Sequence, residues 1–253
     1  MKLQDIYNQL AYGELRQVVL GTGPIGSADG MPDTKEHYAK ILPFVKLGIT
    51  ELHKRFNLRE RSLTLEIQPG QVSYVLSTAF AASNTTGTEA VKYILDSADP
   101  FQDDLMKIER IYGTYNTVRY EIPLNRLDDT SAIRTNSYNM LLIPSSTTEA
   151  PWLLETTELE VVYRADHPVI GDILANALPG RTDIYLPNMY LEPLIWYIAS
   201  RATNPAGLSG EFHEGNNYTA KYEQAISVLK NTGIDYTVDA QSENNRLSAG
   251  GWV

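Results

Sequence analysis

The sequence contains no cysteine. That excludes a disulfide framework and any thiolate metal centre, and it suits assembly in a reducing cytoplasm. A run of about 18 apolar residues, the minimum for a membrane-spanning helix, is also missing. Asp5 and Glu14 interrupt the first residues before an apolar core of signal-peptide length can form, so the expectation is a soluble, unexported protein. No block of Lys and Arg occurs. With 21 Lys and Arg against 31 Asp and Glu, the formal net charge is -10. Duplex DNA is bound mainly by cations that neutralise phosphates, so this balance argues against a sequence-independent DNA binder. Repeats and low-complexity tracts are absent. The four histidines, His37, His53, His167 and His213, form no two-histidine helical ligand pair, and neither a GxSxG elbow nor a P-loop lysine is found.

What the chain does have is a change of hydrophobic period. After Asp33, with Glu36 three residues on as in a capping box, Tyr38, Ile41, Leu42, Val45, Ile49, Leu52 and Phe56 keep one helical stripe. Pro43 predicts either a kink or a helix that begins with Pro43 in its first turn. Leu3, Ile6, Tyr7 and Leu10 predict a shorter helix before it. Pro187 sits where a first-turn proline belongs, ahead of Tyr190, Leu191, Leu194, Ile195 and Ile198, which keep an apolar face despite Pro193. Tyr218, Tyr222, Ala225, Ile226 and Leu229 trace a fourth helix that Gly233 can end in a left-handed cap.

Between these ends the period falls to two. Leu63, Leu65 and Ile67, a turn at Pro69-Gly70, then Val72, Tyr74 and Leu76 read as a hairpin. Val118, Tyr120 and Ile122, then Met140 to Ile143, then Leu159, Val161 and Tyr163 supply further strands. Glu89 to Leu95 reads as a helical turn among them, and Val169 to Leu178 as a short helix leading out. At 253 residues the chain can bury a substantial core. The fold class expected is α+β: a helical bundle formed by both chain ends (1–60 and 185–235), an inserted antiparallel β-rich domain of sandwich or barrel-like form (61–184), and an extended C-terminal tail (236–253). Stripes from both ends must be buried against each other, which puts Leu52, Phe56, Leu194 and Ile198 in one bundle core. The stretch Gln241 to Gly251 is too polar to hold a fold alone, and Tyr236, Leu247 and Trp252 stand along the tail as candidate anchors.

Gly21-Thr22-Gly23-Pro24-Ile25-Gly26 satisfies G-x-G-x-x-G and follows Val18, Val19 and Leu20. A nucleotide site needs a helix opening at that turn, with its free N–H groups on the pyrophosphate. Here Ser27 to Pro32 forms a second turn cluster without a helical stripe, so the motif is taken as a loop. Glu211-Phe212-His213-Glu214 has metal-ligand chemistry but lies in a Gly-rich connection between helices, where a solvated loop is the preferred reading. Asp103-Asp104 and Asp128-Asp129 adjoin turn residues and are taken as exposed. No catalytic, cofactor-binding or metal residue is therefore assigned. Sixteen tyrosines against five phenylalanines tilt the chain toward contact surfaces, because tyrosine buries a ring and keeps a polar handle.

In order along the chain, Tyr12-Gly13-Glu14-Leu15, then Leu47-Gly48-Ile49-Thr50-Glu51-Leu52-His53-Lys54-Arg55-Phe56, then Ile122-Pro123-Leu124-Asn125, the sequence resembles adaptor proteins of short-tailed bacteriophages. Glu160-Val161-Val162-Tyr163-Arg164-Ala165, Leu186-Pro187, the Ile198-Ala199-Ser200-Arg201 helix and Tyr222-Glu223 extend the resemblance over nearly the whole chain. Such adaptors are also called head-completion or tail tubular proteins. The resemblance implies a structural virion protein, a homo-oligomeric ring of about 12 copies below the portal, which joins the DNA-filled head to tail or nozzle proteins and their fibres. It implies a helical bundle with a β-rich insertion and a C-terminal extension that docks on the portal. It further implies DNA passing through the channel without sequence-specific binding, no membrane, and a place in the virion neck after assembly in host cytoplasm. The chain departs from the pattern in its Gly-rich loop at 21–30 and in Arg126, where an acid is expected. A tail stopper or fibre-attachment module is the alternative within the same class, and a nucleotide-binding enzyme is the alternative outside it.

Overall fold

A computed structural model describes residues 1–12, 19–20, 23–24, 35–170, 179–202 and 212–232. They form an α+β protein whose strand ladders are all antiparallel. The chain divides into two compact units, Met1–Asn57 with His167–Val253, and Leu58–Asp166.

In the first unit, α1 (Leu3–Tyr12) buries Leu3, Ile6, Tyr7 and Leu10, the four positions its period selects. Its start is closed by the Asp5 carboxylate, which accepts the Lys2 N–H at 2.8 Å, one half of a capping box. The chain before it is held by backbone bonds from Leu3 N–H to Thr182 O and from Ile184 N–H to Met1 O. Helix α2 (Lys35–Arg55) carries Pro43 inside it, so the helix neither stops nor starts at that proline. Pro43 is on the exposed face, and the buried stripe Ile41, Leu42, Val45, Ile49, Leu52 continues past it to Phe56. Asp33 of the expected capping box lies outside the described residues.

A 3-10 turn (Asn188–Tyr190) follows Pro187 and leads into α3 (Leu191–Ala202). The first-turn proline of the α-helix is therefore Pro193, not Pro187. Pro193 is the third helical residue, where its missing N–H would have had no intrahelical acceptor. Helix α4 spans Phe212–Asn231 and buries Tyr222, Ile226 and Leu229. Helix α3 packs on α2 and α4 and touches α1. The α2–α3 approach depends on Gly48: a Cβ there would stand 2.6 Å from Leu194 Cδ1 and 3.0 Å from Tyr197 Cδ1. Arg55 of α2 clamps α4 by two parallel bonds to Glu223, at 2.7 and 2.9 Å.

The second unit holds two sheets. Five strands lie in the order β5 (Ile94–Leu95), β3 (Glu60–Glu66), β10 (Glu158–Ala165), β6 (Leu105–Tyr115), β7 (Val118–Ile122), and three in the order β4 (Ser73–Val75), β9 (Met140–Leu142), β8 (Arg134–Ser137). Single parallel bridges, Leu124 to Ile133 and Ala81 to Ile94, lie where the chain passes from one sheet to the other. Both sheets feed one core that includes Leu63, Leu65, Tyr74, Leu141, Val161 and Tyr163.

Two of the expected elements of this unit differ in the structure. The expected hairpin does turn at Pro69-Gly70, where Gly70 has φ +78 and Gln71 N–H bonds Gln68 O, but β3 and β4 part into different sheets. Hairpin chemistry fixed the reversal, while pairing went to partners distant in sequence: β3 to β10, and β4 to β9. Glu89 to Leu95 is not a helical turn. Ile94 and Leu95 instead pair with Leu65 and Thr64 at the sheet edge.

Asp96 beside β5 ties down its surroundings. Its carboxylate is 5% exposed and accepts the Ser83 N–H (2.8 Å), the Ser83 hydroxyl (2.5 Å) and the Phe101 N–H (2.8 Å). Burial pushes its pKa up, but the bonds from Ser83 and Phe101 outweigh that and hold it below the ordinary 3.8. A depressed folded pKa contributes stability that is complete above the unfolded value and is lost as pH falls through the folded one. Asp96→Asn is therefore expected to cost about 1–3 kcal/mol at neutral pH and to flatten the fall in stability below about pH 4. Melting curves recorded from pH 7 to 2 check this; curves for the two proteins that stay parallel across that range contradict it.

Candidate functional site

At the glycine motif, Val19–Leu20 (β1) and Gly23–Pro24 (β2) pair antiparallel, Val19 with Pro24 and Leu20 with Gly23. The second and third motif residues past Gly21 thus return along the strand they came from. A phosphate site needs a helix N-terminus at this point, and the next described helix begins only at Lys35. The rest of the motif and Ser27 to Pro32 lie outside the described residues, as do residues 171–178 of the expected exit helix.

His53 is fully buried and meets the His167 ring edge-on at 5.7 Å. His167 Nε2 accepts the Tyr185 N–H at 3.0 Å, so its proton sits on Nδ1, which donates to Pro168 O at 2.6 Å. That pattern describes a neutral imidazole bracing a chain segment. Phe212 to Glu214 are not loop but the first turn of α4, and Glu211 lies outside the described residues. Among the described residues no three His, Asp or Glu side chains are grouped as metal ligands.

The acid pairs separate in role. Asp103, at φ +53, accepts the Thr78 N–H and hydroxyl at 2.8 and 2.6 Å. Asp104 is not exposed as expected: its side chain is 8% accessible and takes bonds from Arg59 (2.9 Å), Arg61 (3.0 Å) and the Tyr163 hydroxyl (3.0 Å). Arg61 also pairs with Asp99 at 2.6 Å, and Arg59 reaches Asp166 O at 2.7 Å. Dipeptide spacing carried no trace of this network, because its cations lie 45 and 43 residues away in the chain. Asp128 is exposed, and Asp129 accepts the Ser131 N–H and hydroxyl.

Tyrosines divide between core and surface. Tyr74, Tyr93 and Tyr163 are buried, whereas Tyr115, Tyr138 and Tyr185 face outward. Tyr115 belongs to an apolar groove of about 490 Å3 between the β6–β7 hairpin and a 3-10 turn at Pro151–Leu154. Val118, Tyr120, Pro151 and Trp152 line it with Tyr115, and the exposed Leu154 follows. The hairpin tip is a two-residue turn, Asn116-Thr117, with φ +46 and +68, the geometry that follows strand twist. In the first unit a second cleft of about 380 Å3 runs between α3 and α4. There Trp196 stacks on Tyr218 at 5.8 Å, Lys221 Nζ stands 4.3 Å over the indole, and Met189 and Val228 remain exposed.

Of the expected core set, Leu52, Leu194 and Ile198 are 0% exposed and Phe56 1%. Tyr236, Leu247 and Trp252 lie outside the described residues. An open apolar groove at a strand edge and a mixed polar and aromatic cleft between helices, beside ion pairs that brace the scaffold, are the features of a protein that works through contact. That class is a structural component of an assembly. The chain belongs to the SU10 adaptor protein family, whose model matches residues 11–247. No curated protein matches it. The family is one of bacteriophage structural adaptors and not of enzymes; membership implies a place in the virion neck and contact with portal and tail.

Proposed function

We propose that this protein forms a ring of about 12 copies that joins the portal of the DNA-filled capsid to the tail and lines the channel for genome ejection. The observation that carries the proposal is the family match over residues 11–247, which takes in α2 to α4, the β-rich unit and the start of the tail. In this reading the first unit is a helical bundle built by both ends of the chain, with Leu52, Phe56, Leu194 and Ile198 as its shared core. Their burial and the close α2–α3 approach at Gly48 support it. The net charge of -10 supports the channel role, because carboxylates facing DNA avoid phosphate contacts that would slow its passage. The tail carries the portal contact through Leu247 and Trp252, with Tyr236 at its root. Assembly occurs in the host cytoplasm, on a portal template that offsets the entropy lost when the tail orders.

Truncation after Ala240 removes Leu247 and Trp252. The expected product melts within about 2 °C of the full chain, since surface changes away from packed features stay within about 0.5 kcal/mol, and it fails to join the portal. Native mass measurement of the portal complex with the full chain should give ring stoichiometry. A single copy per portal, or a truncated protein that docks normally, overturns the proposal.

A further inference from the structure

One edge of the five-stranded sheet is β7, and among the described residues no further strand pairs with it. In a two-residue hairpin the residues flanking the turn exchange both backbone bonds, so Val118, Tyr120 and Ile122 bond to β6 while the N–H and C=O groups of Arg119 and Glu121 point away from it. Among the described residues those two make no other backbone bond. Side chains alternate with the same period. Ile122 is buried, Tyr120 packs against the core, and Val118 is 66% exposed beside Pro151, Trp152 and the 74% exposed Leu154. The β7 edge therefore offers a ladder with half its bonds unmade and, on the core side of that ladder, an unfilled apolar groove. A free edge of this kind is an aggregation hazard unless something covers it.

We propose that residues 234–239 of a second copy of this chain add to β7 as a sixth strand. The segment reads Ile234-Asp235-Tyr236-Thr237-Val238-Asp239. It alternates apolar and polar residues over the length of β7, with β-branched and aromatic types that suit a half-buried strand. Ile234, Tyr236 and Val238 on one face match the groove beside Val118 and Tyr120. Asp235 and Asp239 then share the other face with Arg119, whose side chain is 50% exposed and already carries a 2.8 Å pair with Glu160. The family match runs to residue 247 and so includes this segment.

A strand donated in one direction and received at a different surface is a heterologous contact, the kind that closes rings. The proposal thus rests on the ring reading given above. It also revises the tail: Tyr236 contacts a neighbouring subunit, and the portal is left to the distal part. From Ala240 to Trp252 an extended chain still reaches about 40 Å, at about 3.3 Å per residue, so Leu247 and Trp252 remain available.

Because the chain has no cysteine, introduced ones report cleanly. Full-length Glu121→Cys is mixed in turn with full-length Asp235→Cys, Thr237→Cys and Asp239→Cys, assembled with portal and oxidised. At least one mixture is expected to give a disulfide-linked pair at more than tenfold the yield of either variant alone. Glu121→Pro, which removes an outward N–H and spares the β6 ladder, should keep the melting midpoint and weaken ring assembly at least tenfold. Rings that form while none of the three mixtures links overturn the strand donation and leave the ring reading standing. Linked pairs without a ring keep the donation and overturn the ring. A link formed only within single chains carrying both cysteines, or neither link nor ring, overturns the proposal.

Discussion

Asp104→Ala is expected to lower stability by about 3–5 kcal/mol, the range for removing one partner of a buried ion pair. The carboxylate accepts from Arg59, Arg61 and Tyr163, and its loss leaves the Arg61 side chain, only 10% exposed, with its remaining partners at Asp99 and the Pro100 carbonyl. The cost is mainly that of stranded guanidinium charge, not of a lost attraction. A double-mutant comparison separates the two. Asp104→Leu with Arg61→Met should be less damaging than Asp104→Leu alone, because replacing both members of a buried pair by apolar groups is often close to neutral. Urea unfolding of Asp104→Leu, of Arg61→Met and of the double variant measures this; a double variant as unstable as the sum of the two singles rejects the network as a coupled unit.

Phe56→Ala carries the second large effect, about 3–5 kcal/mol. The ring is 1% exposed at the end of α2 and meets Tyr190 edge-to-face at 5.0 Å, just before α3 begins. Truncation removes that aromatic contact and leaves a cavity which Leu52 and Ile198, themselves fully buried, cannot close without moving the helices. The melting midpoint should fall by roughly 10 °C for a chain of this size. Phe56→Leu keeps most of the volume and should recover more than half of the loss. An unchanged midpoint in Phe56→Ala would remove the ring from the list of core residues.

The longest strand, β6, left the weakest trace in the sequence. Its inward residues are Leu105, Ile108, Ile111 and Gly113, a spacing that begins like a helix face. The cause is visible in its pairing with β10: the register slips once between Tyr163 and Val162 and once between Arg164 and Ala165, so Glu109 and Met106 have no partner opposite. Each bulge adds a residue and turns period two into period three. Where strands run without bulges, as in Leu63-Leu65 opposite Val161-Leu159, the alternation and the buried face coincide. Pro43 and Pro193 show the converse limit, since a proline's local cost is visible but the packing that overrides it is not.

By itself the sequence determined the helical stripes, the strand period of the middle region, the reversal at Pro69-Gly70 and the family, because each is carried by residues close together in the chain or by their order along it. Only the tertiary structure decided which strands pair, that Asp104 is buried among arginines, that Gly48 admits α3 against α2, and that β7 ends a sheet beside an apolar groove. All of these depend on residues tens of positions apart arriving at one place, and local periodicity holds no record of which distant partner will be there.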